Sequence, residues 1–187
     1  WQDAVARPIG LAMSGPCAAL QGVAASLPDS DGEQVVMSID VGGTSTDIGI
    51  LEAGRPLFTD TLLCGDLTLR LRCADVESLS IGGGSLASVN AGGGLRLGPR
   101  SQGAWPGPAA YGLGGTNATL TDALLLLGRL PRQLSGGVVL DPALAEAAVA
   151  RDVAQPLGIA ALDAAQAIVA TAATAMAESV KMRAFQR

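Results

Sequence analysis

The stretch Asp40-Val-Gly-Gly-Thr-Ser-Thr-Asp47 decides the fold of this chain of 187 residues. It follows Val35-Val-Met-Ser-Ile39, a short apolar run rich in β-branched residues, which is typical of a buried strand. Gly42 and Gly43 then predict a tight reversal into a second strand. The pattern therefore predicts a strand, a glycine turn and a returning strand.

Polar segments bound this hairpin on both sides. Asp29-Ser-Asp-Gly-Glu33 predicts a turn before the first strand, and Glu52-Ala-Gly-Arg-Pro56 predicts a second reversal after the returning strand. A third strand over 57–63 would follow. The sequence thus predicts a three-stranded meander over about residues 35–63.

The hairpin also carries the groups that phosphate binding requires. The glycines would let backbone N–H groups face an anion, the threonines would add hydroxyl donors, and the two aspartates would flank the phosphates with a hydrated Mg²⁺. These roles fall on Asp40, Gly42, Gly43, Thr44, Thr46 and Asp47. On the residues alone, an ordinary glycine hairpin with turn-capping aspartates explains the pattern equally well.

Composition excludes several classes of function. The chain has no histidine, so imidazole bases, Ser-His-Asp and Cys-His nucleophilic sites and the HExxH zinc pair are absent from it. A net charge of -5 and 3% aromatic residues argue against a nucleic-acid surface. Three cysteines without CxxC spacing suggest neither a disulfide framework nor a zinc site, and so favour a reducing cytoplasm.

No apolar run reaches the length of a membrane span, because glycines and prolines interrupt every candidate. We therefore expect a soluble, cytoplasmic protein. The chain begins at Trp1 and ends inside a predicted helix, so we also expect a piece of a longer polypeptide.

Beyond the meander, glycine and proline dominate residues 80–118, where spaced apolar residues predict ordered loops, and helices are expected over about 120–187. Gly82, Gly83, Gly84 and Ser85 offer backbone donors without side-chain obstruction. Such a stretch fits contact with a phosphate or a developing oxyanion, and equally fits tight packing of a loop against a strand.

Several blocks in order give the chain a more specific resemblance. They are Ser14-Gly-Pro16, Asp40 to Asp47, Ile81-Gly-Gly-Gly-Ser85, Gly98-Pro-Arg-Ser-Gln-Gly-Ala-Trp-Pro-Gly-Pro-Ala-Ala-Tyr-Gly112 and Gly114-Gly-Thr-Asn-Ala-Thr-Leu-Thr-Asp122. Together they resemble the ATP-dependent hydantoinase A and 5-oxoprolinase family, whose relatives include acetone carboxylase subunits.

The resemblance implies an α/β fold, a ribonuclease-H-like lobe of the actin, sugar-kinase and Hsp70 ATPase superfamily. Residues 1–187 would form one domain, a second-lobe segment of the hydantoinase A catalytic core. Asp40, Gly42, Gly43, Thr44 and Asp47 would belong to its phosphate hairpin, with Asp40 and Asp47 as the catalytic carboxylates. The donors of Thr46 and residues 82–85 make them further candidates for contact with ATP. The family's first-lobe hairpin and adenosine-binding motif are not seen in this sequence.

The resemblance also implies a metal cluster of Asp75, Glu77 and Asp122. Two positions depart from the family pattern: Glu77 stands where the family has histidine, and Ala110 where it has cysteine. A glutamate suits Mg²⁺ or Mn²⁺ better than zinc. Asp122 could instead cap a helix, the commonest use of an aspartate in this setting.

What the resemblance implies for function is ATP-dependent opening of a cyclic amide, such as a hydantoin or 5-oxoproline, through phosphorylation of the amide oxygen. A hydantoinase B-type partner subunit or a fused equivalent would accompany it, without nucleic acid or membrane. The alternatives are an acetone carboxylase-type subunit and a non-catalytic nucleotide-binding assembly subunit. A sugar kinase would share the hairpin but would leave the Gly98 to Gly112 block without a role.

Overall fold

The computed structural model describes residues 5–28 and 34–185. Their contacts divide the chain into two compact units. Unit 1 holds the residues up to Asp40 together with Asp47–Ser78, and unit 2 holds Val41–Thr46 together with the residues from Leu79 onward. The single domain expected from the sequence stays a prediction, and the turn expected at 29–33 lies outside the described residues.

Unit 1 begins with a 3₁₀ turn, Pro8–Leu11, and a helix that the sequence patterns did not predict, α1 (Ser14–Ser26). Its strands are short except for the first two: β1 (Val35–Val41), β2 (Thr46–Glu52), β3 (Arg55–Pro56), β4 (Phe58–Thr59), β5 (Leu62–Cys64), β6 (Leu67–Leu69), β7 (Cys73–Ala74) and β8 (Val76–Leu79).

The predicted β1–β2 hairpin is present, and β2 pairs with β3 and with β8 as well. The expected third strand over 57–63 is wrong in its position, because the third strand of the meander is β3 and the residues of 57–63 divide between two other sheets. Arg55 and Pro56 pair with β2, Phe58 pairs with Ala74 of β7, and β5 pairs with β6. Beyond the two residue pairs of β2 with β3, Leu57 still donates its N–H to the Ile50 carbonyl oxygen at 3.0 Å.

Leu20 of α1, Leu51 of β2 and Ala74 of β7 form the core of unit 1. Gly49 lets the helix approach β2, because a methyl group at Gly49 would lie 2.6 Å from a Leu20 methyl carbon. Close packing therefore requires glycine at this position of a buried strand.

In unit 2, the glycine-rich region contains a β-hairpin of β9 (Ser85–Val89) and β10 (Leu95–Ser101). The Asn90 side chain closes its turn by accepting hydrogen bonds from the N–H groups of Gly92 and Gly94. The expectation of ordered loops thus holds, but loops alone do not describe this segment.

Helices follow as α2 (Leu120–Leu126), α3 (Pro142–Val149), a π-helical turn (Ala150–Ala154), α4 (Gln155–Leu157) and α5 (Ala161–Phe185). Asp141 caps α3, with Pro142 at its first position. α2 ends at Leu126, and Gly128 has a positive φ of 67° two residues later. The expected extension to the chain end includes 186–187, outside the described residues.

The core of unit 2 lies among β9, α2, the π-helical turn and α5, with Val149, Val153 and Ile168 fully buried. Alanines of α5, such as Ala164 and Ala165, allow that helix to approach its neighbours closely. Across the described residues no single helix is both long and apolar enough to span a membrane. Two consecutive helical segments, 142–157 and 161–185, reach that length and apolar composition only when taken together, and the chain bends by 89° between them.

Candidate functional site

The turn of the β1–β2 hairpin is closed by its own backbone. Gly42 donates its N–H to the Ser45 carbonyl oxygen at 2.8 Å. Gly43 and Thr44 are exposed at the tip, and their N–H groups donate to no acceptor among residues 5–28 and 34–185. A Cβ placed on Gly43 would meet none of the described atoms within 4 Å. The tip therefore presents two backbone donors and one hydroxyl to an open space.

The glycine triplet packs against this same turn. Gly83 donates its N–H to the Gly42 carbonyl oxygen at 2.9 Å, and Gly84 donates to that of Gly43 at 2.6 Å. A methyl group at Gly82 would lie 2.6 Å from the Gly42 oxygen. The two glycine motifs thus form one backbone assembly, although about forty residues separate them in the sequence.

This contact gives the triplet the packing role that the sequence left open. Gly82 donates its N–H to the Ser85 hydroxyl at 2.9 Å, so each of the three glycine N–H groups has an acceptor within unit 2. The prediction that Gly82, Gly83 and Gly84 offer donors to a phosphate does not agree with this geometry. In this arrangement they support the turn instead.

Thr46 and Ser85 also differ from the prediction that they contact a nucleotide. Both are fully buried. Thr46 donates its hydroxyl to the Ile81 carbonyl oxygen at 2.6 Å, while the Ser85 hydroxyl accepts from Gly82. Their polar groups are satisfied inside unit 2, so Thr44 is the threonine of the turn that faces outward.

The two predicted catalytic carboxylates lie in unit 1, where Asp40 and Asp47 both line one small cleft of about 10 Å³. Ser38 and Pro16 border the same cleft. The Ser78 hydroxyl donates a short hydrogen bond to Asp47 Oδ1. The structure therefore brings the two aspartates to one depression, and their catalytic role stays a prediction.

Ser78 is a residue that sequence reasoning missed. It follows Val76 and Glu77 in β8, which pairs with β2, the strand of Asp47. Only the strand pairing reveals this contact, because the two residues are 31 positions apart. Its hydroxyl orients the Asp47 carboxylate by occupying one of its oxygens.

Asp122 has the capping role. Its carboxylate accepts hydrogen bonds from the Thr119 N–H, the Thr119 hydroxyl and the Ala110 N–H, and with Thr119 it forms a capping box at the start of α2. The side chain is fully buried. Burial raises the pKa of Asp122, and the hydrogen bonds from Thr119 and Ala110 oppose that rise without cancelling it.

Asp75 and Glu77 belong to unit 1, directly before β8 and within it, whereas Asp122 belongs to unit 2. No group of three His, Cys, Asp or Glu residues suited to hold a metal ion is found over 5–28 and 34–185. The expected cluster of three carboxylates is therefore not seen, because Asp122 is committed to its helix cap. The metal role of Asp75 and Glu77 stays a prediction.

A family model described as Hydantoinase/oxoprolinase matches residues 1–187. The chain is 36% identical over 184 residues to the caprolactamase subunit alpha of Pseudomonas jessenii. The matched region covers 97% of this chain and 26% of that protein. It is 37% identical over 177 residues to the acetophenone carboxylase gamma subunit of Aromatoleum aromaticum, covering 92% of this chain and 24% of that protein.

Among solved structures, the nucleotide-free acetone carboxylase, described as an enzyme of ATP-dependent acetone carboxylation, superposes with a TM-score of 0.81 at 25% identity. The match covers 91% of this chain and 24% of that one. The chain therefore spans about a quarter of the length of these relatives. The α/β fold of the actin-like ATPase superfamily, expected from the sequence, is confirmed.

Proposed function

Because the chain belongs to the Hydantoinase/oxoprolinase family, we propose that it is part of an ATP-dependent enzyme that opens a cyclic amide, such as a hydantoin or 5-oxoproline. The observation that carries this proposal is the outward-facing tip, Gly43 and Thr44, which lies between Asp40 and Asp47 in the chain. Support comes from the relative named caprolactamase and from the structural neighbour described as ATP-dependent.

The tip fits the oxygens of a phosphate chain. The two N–H groups and the Thr44 hydroxyl are donors without acceptors in the described part of the chain, and Gly43 leaves room for a close approach. The glycine triplet beneath the turn holds these donors in place, so they need not reorganise when an anion binds. The same donors would stabilise negative charge on a transferred phosphoryl group.

The two carboxylates suit a hydrated divalent cation. Asp40 is exposed, and Asp47 is partly buried with one oxygen held by Ser78. Mg²⁺ commonly keeps several waters and binds through one or two carboxylates together with phosphate oxygens. We propose that Asp40 and Asp47 hold Mg²⁺, or Mn²⁺, in this way, while no step is assigned to Asp75 or Glu77.

Amide resonance makes the ring carbon a poor electrophile, and ATP, when bound, supplies the phosphoryl group that removes this resonance by modifying the amide oxygen. The chain's own residues then have limited tasks. The tip donors orient the phosphates, and the carboxylates neutralise their charge by holding the cation. The chain has no histidine, so no imidazole within these 187 residues activates the water that attacks the ring.

A second candidate, a carboxylase subunit, is favoured by the acetophenone carboxylase relative and the acetone carboxylase neighbour. Both candidates use the same tip and carboxylates. Two relatives are named as subunits, which supports a partner subunit. We propose that this partner is of the hydantoinase B type or a fused equivalent. A non-catalytic assembly subunit would bind nucleotide without turnover.

ATP turnover by the full-length protein with its partner tests the proposal, scanning hydantoins, 5-oxoproline, other lactams, and ketones with bicarbonate. We expect one cyclic amide to stimulate turnover, and Asp40→Asn to lower that rate about a hundredfold. Asp60→Asn, at another exposed aspartate of unit 1, is the matched control and should keep the wild-type rate. Stimulation by a ketone alone would establish the carboxylase instead, and binding without turnover would establish the assembly subunit.

A further inference from the structure

A second concave surface lies in unit 2, on the β9–β10 hairpin. It is a cleft of about 380 Å³ whose polar lining consists of Ser88, Arg96, Arg100, Asn117 and Asp152. Its volume falls within the range of about 300–1,000 Å³ that is usual for small-molecule sites. None of these residues has a task in the proposed nucleotide turn.

Two arginines give the cleft its chemistry. Arg96 and Arg100 of β10 are exposed, and neither side chain has a hydrogen bond or an ion pair within the described ranges. Leu95 and Leu97, on either side of Arg96, pack against the core of unit 2, so strand alternation turns Arg96 to the opposite face.

The one acidic residue of the cleft does not neutralise them. Asp152 accepts hydrogen bonds from Arg151 Nε at 2.7 Å and Arg151 Nη2 at 2.8 Å, and from the Ala118 N–H at 2.8 Å. Arg151 is itself held by the Thr116 carbonyl oxygen at 2.8 Å. Because this carboxylate is already paired, the cleft keeps the positive charge of Arg96 and Arg100.

We propose that this cleft binds the oxyanion group of a small molecule, a carboxylate or a phosphate, through Arg96 and Arg100. A guanidinium group presents a planar fork of N–H donors that matches the two oxygens of either anion. The hydroxyl of Ser88 and the amide of Asn117 add neutral donors at the edge of the same cleft. This inference does not depend on whether the parent protein turns over ATP.

The test is isothermal titration calorimetry of the full-length protein with inorganic phosphate in one arm and acetate in the other, without nucleotide or Mg²⁺. We expect Arg96→Gln and Arg100→Gln each to raise the Kd of the preferred probe about tenfold, because each removes a charge-assisted contact. Arg132→Gln, at an exposed arginine of unit 2 outside the cleft, should leave the Kd unchanged. The probe that binds more tightly identifies the anion class.

Further variants separate this cleft from the nucleotide turn. Loss of probe binding in Thr44→Val, with binding kept in Arg96→Gln, would place the anion at the nucleotide turn and overturn the proposal. Arg100→Lys should give an intermediate Kd, because it keeps the charge but loses the fork. An equal Kd in the wild type and the Arg96→Gln/Arg100→Gln double variant, at an unchanged Tm, would overturn the proposal, and so would failure of the wild type to bind either probe.

Discussion

The N–H group of Gly83 donates a hydrogen bond to the carbonyl oxygen of Gly42 at 2.9 Å, joining the glycine triplet to the hairpin turn. The glycines at this junction therefore have different tolerances. Gly82 lies against the turn backbone, whereas Gly43 faces open space. The same substitution, glycine to alanine, should therefore destabilise the fold at Gly82 and leave it stable at Gly43.

Gly82→Ala should lower the free energy of unfolding by about 2 kcal/mol, because its methyl group would lie 2.6 Å from the Gly42 carbonyl oxygen and the backbone would have to move. Gly43→Ala is the matched control and should change stability by less than about 0.5 kcal/mol. Urea unfolding followed by circular dichroism measures both. Equal effects would show that the triplet does not pack on the turn.

Thr46→Val should destabilise the protein by about 1–3 kcal/mol, because the buried Ile81 carbonyl oxygen loses its donor. Thr46→Ser keeps that hydroxyl and should recover most of the loss. Thr44→Val should leave stability unchanged and weaken Mg-ATP binding about tenfold, since Thr44 faces outward. Unfolding curves and calorimetric titration with a non-hydrolysable ATP analogue measure the two properties. A loss of stability in Thr44→Val and a loss of Mg-ATP binding in Thr46→Val would show that the two threonines have the opposite roles.

Ser78→Ala should weaken Mn²⁺ binding about threefold without changing stability, because the Asp47 carboxylate loses the hydroxyl that orients it. Ser80→Ala, a nearby exposed serine, serves as the control. Electron paramagnetic resonance titration of Mn²⁺ with the full-length protein and the ATP analogue gives the affinity. An unchanged affinity in Ser78→Ala would argue against Asp47 as a metal ligand.

Asp122 should make stability depend on pH. Burial raises the pKa of Asp122 above its ordinary value of 3.8, so the folded state keeps a proton that the unfolded chain has lost. The stabilising contribution is then complete below pH 3.8 and is lost as pH rises through the folded pKa. The free energy of unfolding of the wild type, relative to Asp122→Asn, should therefore fall with rising pH.

Urea unfolding at a series of pH values from about 3.5 to 7 checks this sign. Asp163→Asn, at an exposed position in the first turn of α5, controls for the removal of a carboxylate elsewhere. A difference between wild type and Asp122→Asn that grows as pH rises would contradict the prediction.

Local features of the fold could be predicted from the sequence. Strand β1, which contains Asp40, the turns at Gly42-Gly43 and Ala53-Gly54, and the capped start of α3 all depend on residues adjacent in the chain. β-Branched runs, glycines that accept unusual φ values and capping side chains act over a few positions. Helix α1 has no comparable cap, because Met13, the residue before its first turn, makes no capping hydrogen bond through its side chain. The missing cap explains why the sequence patterns did not predict this helix.

The candidate site could be predicted only in part. The positions of Asp40, Asp47, Gly43 and Thr44 are set by the hairpin itself, and their roles stay predictions. Thr46 is two positions from Thr44, yet its hydroxyl lies buried against Ile81. Nothing in the local pattern distinguishes these two hydroxyls.

The sequence by itself determined the hairpin, its glycine tip, the family and the absence of any histidine base. Only the tertiary structure decided that the glycine triplet supports the turn, that Asp122 caps a helix and that Arg96 lines a cleft. The physical reason is that turn and strand preferences act between neighbours in the chain. Hydrogen-bond partners of buried groups depend instead on which distant segments meet.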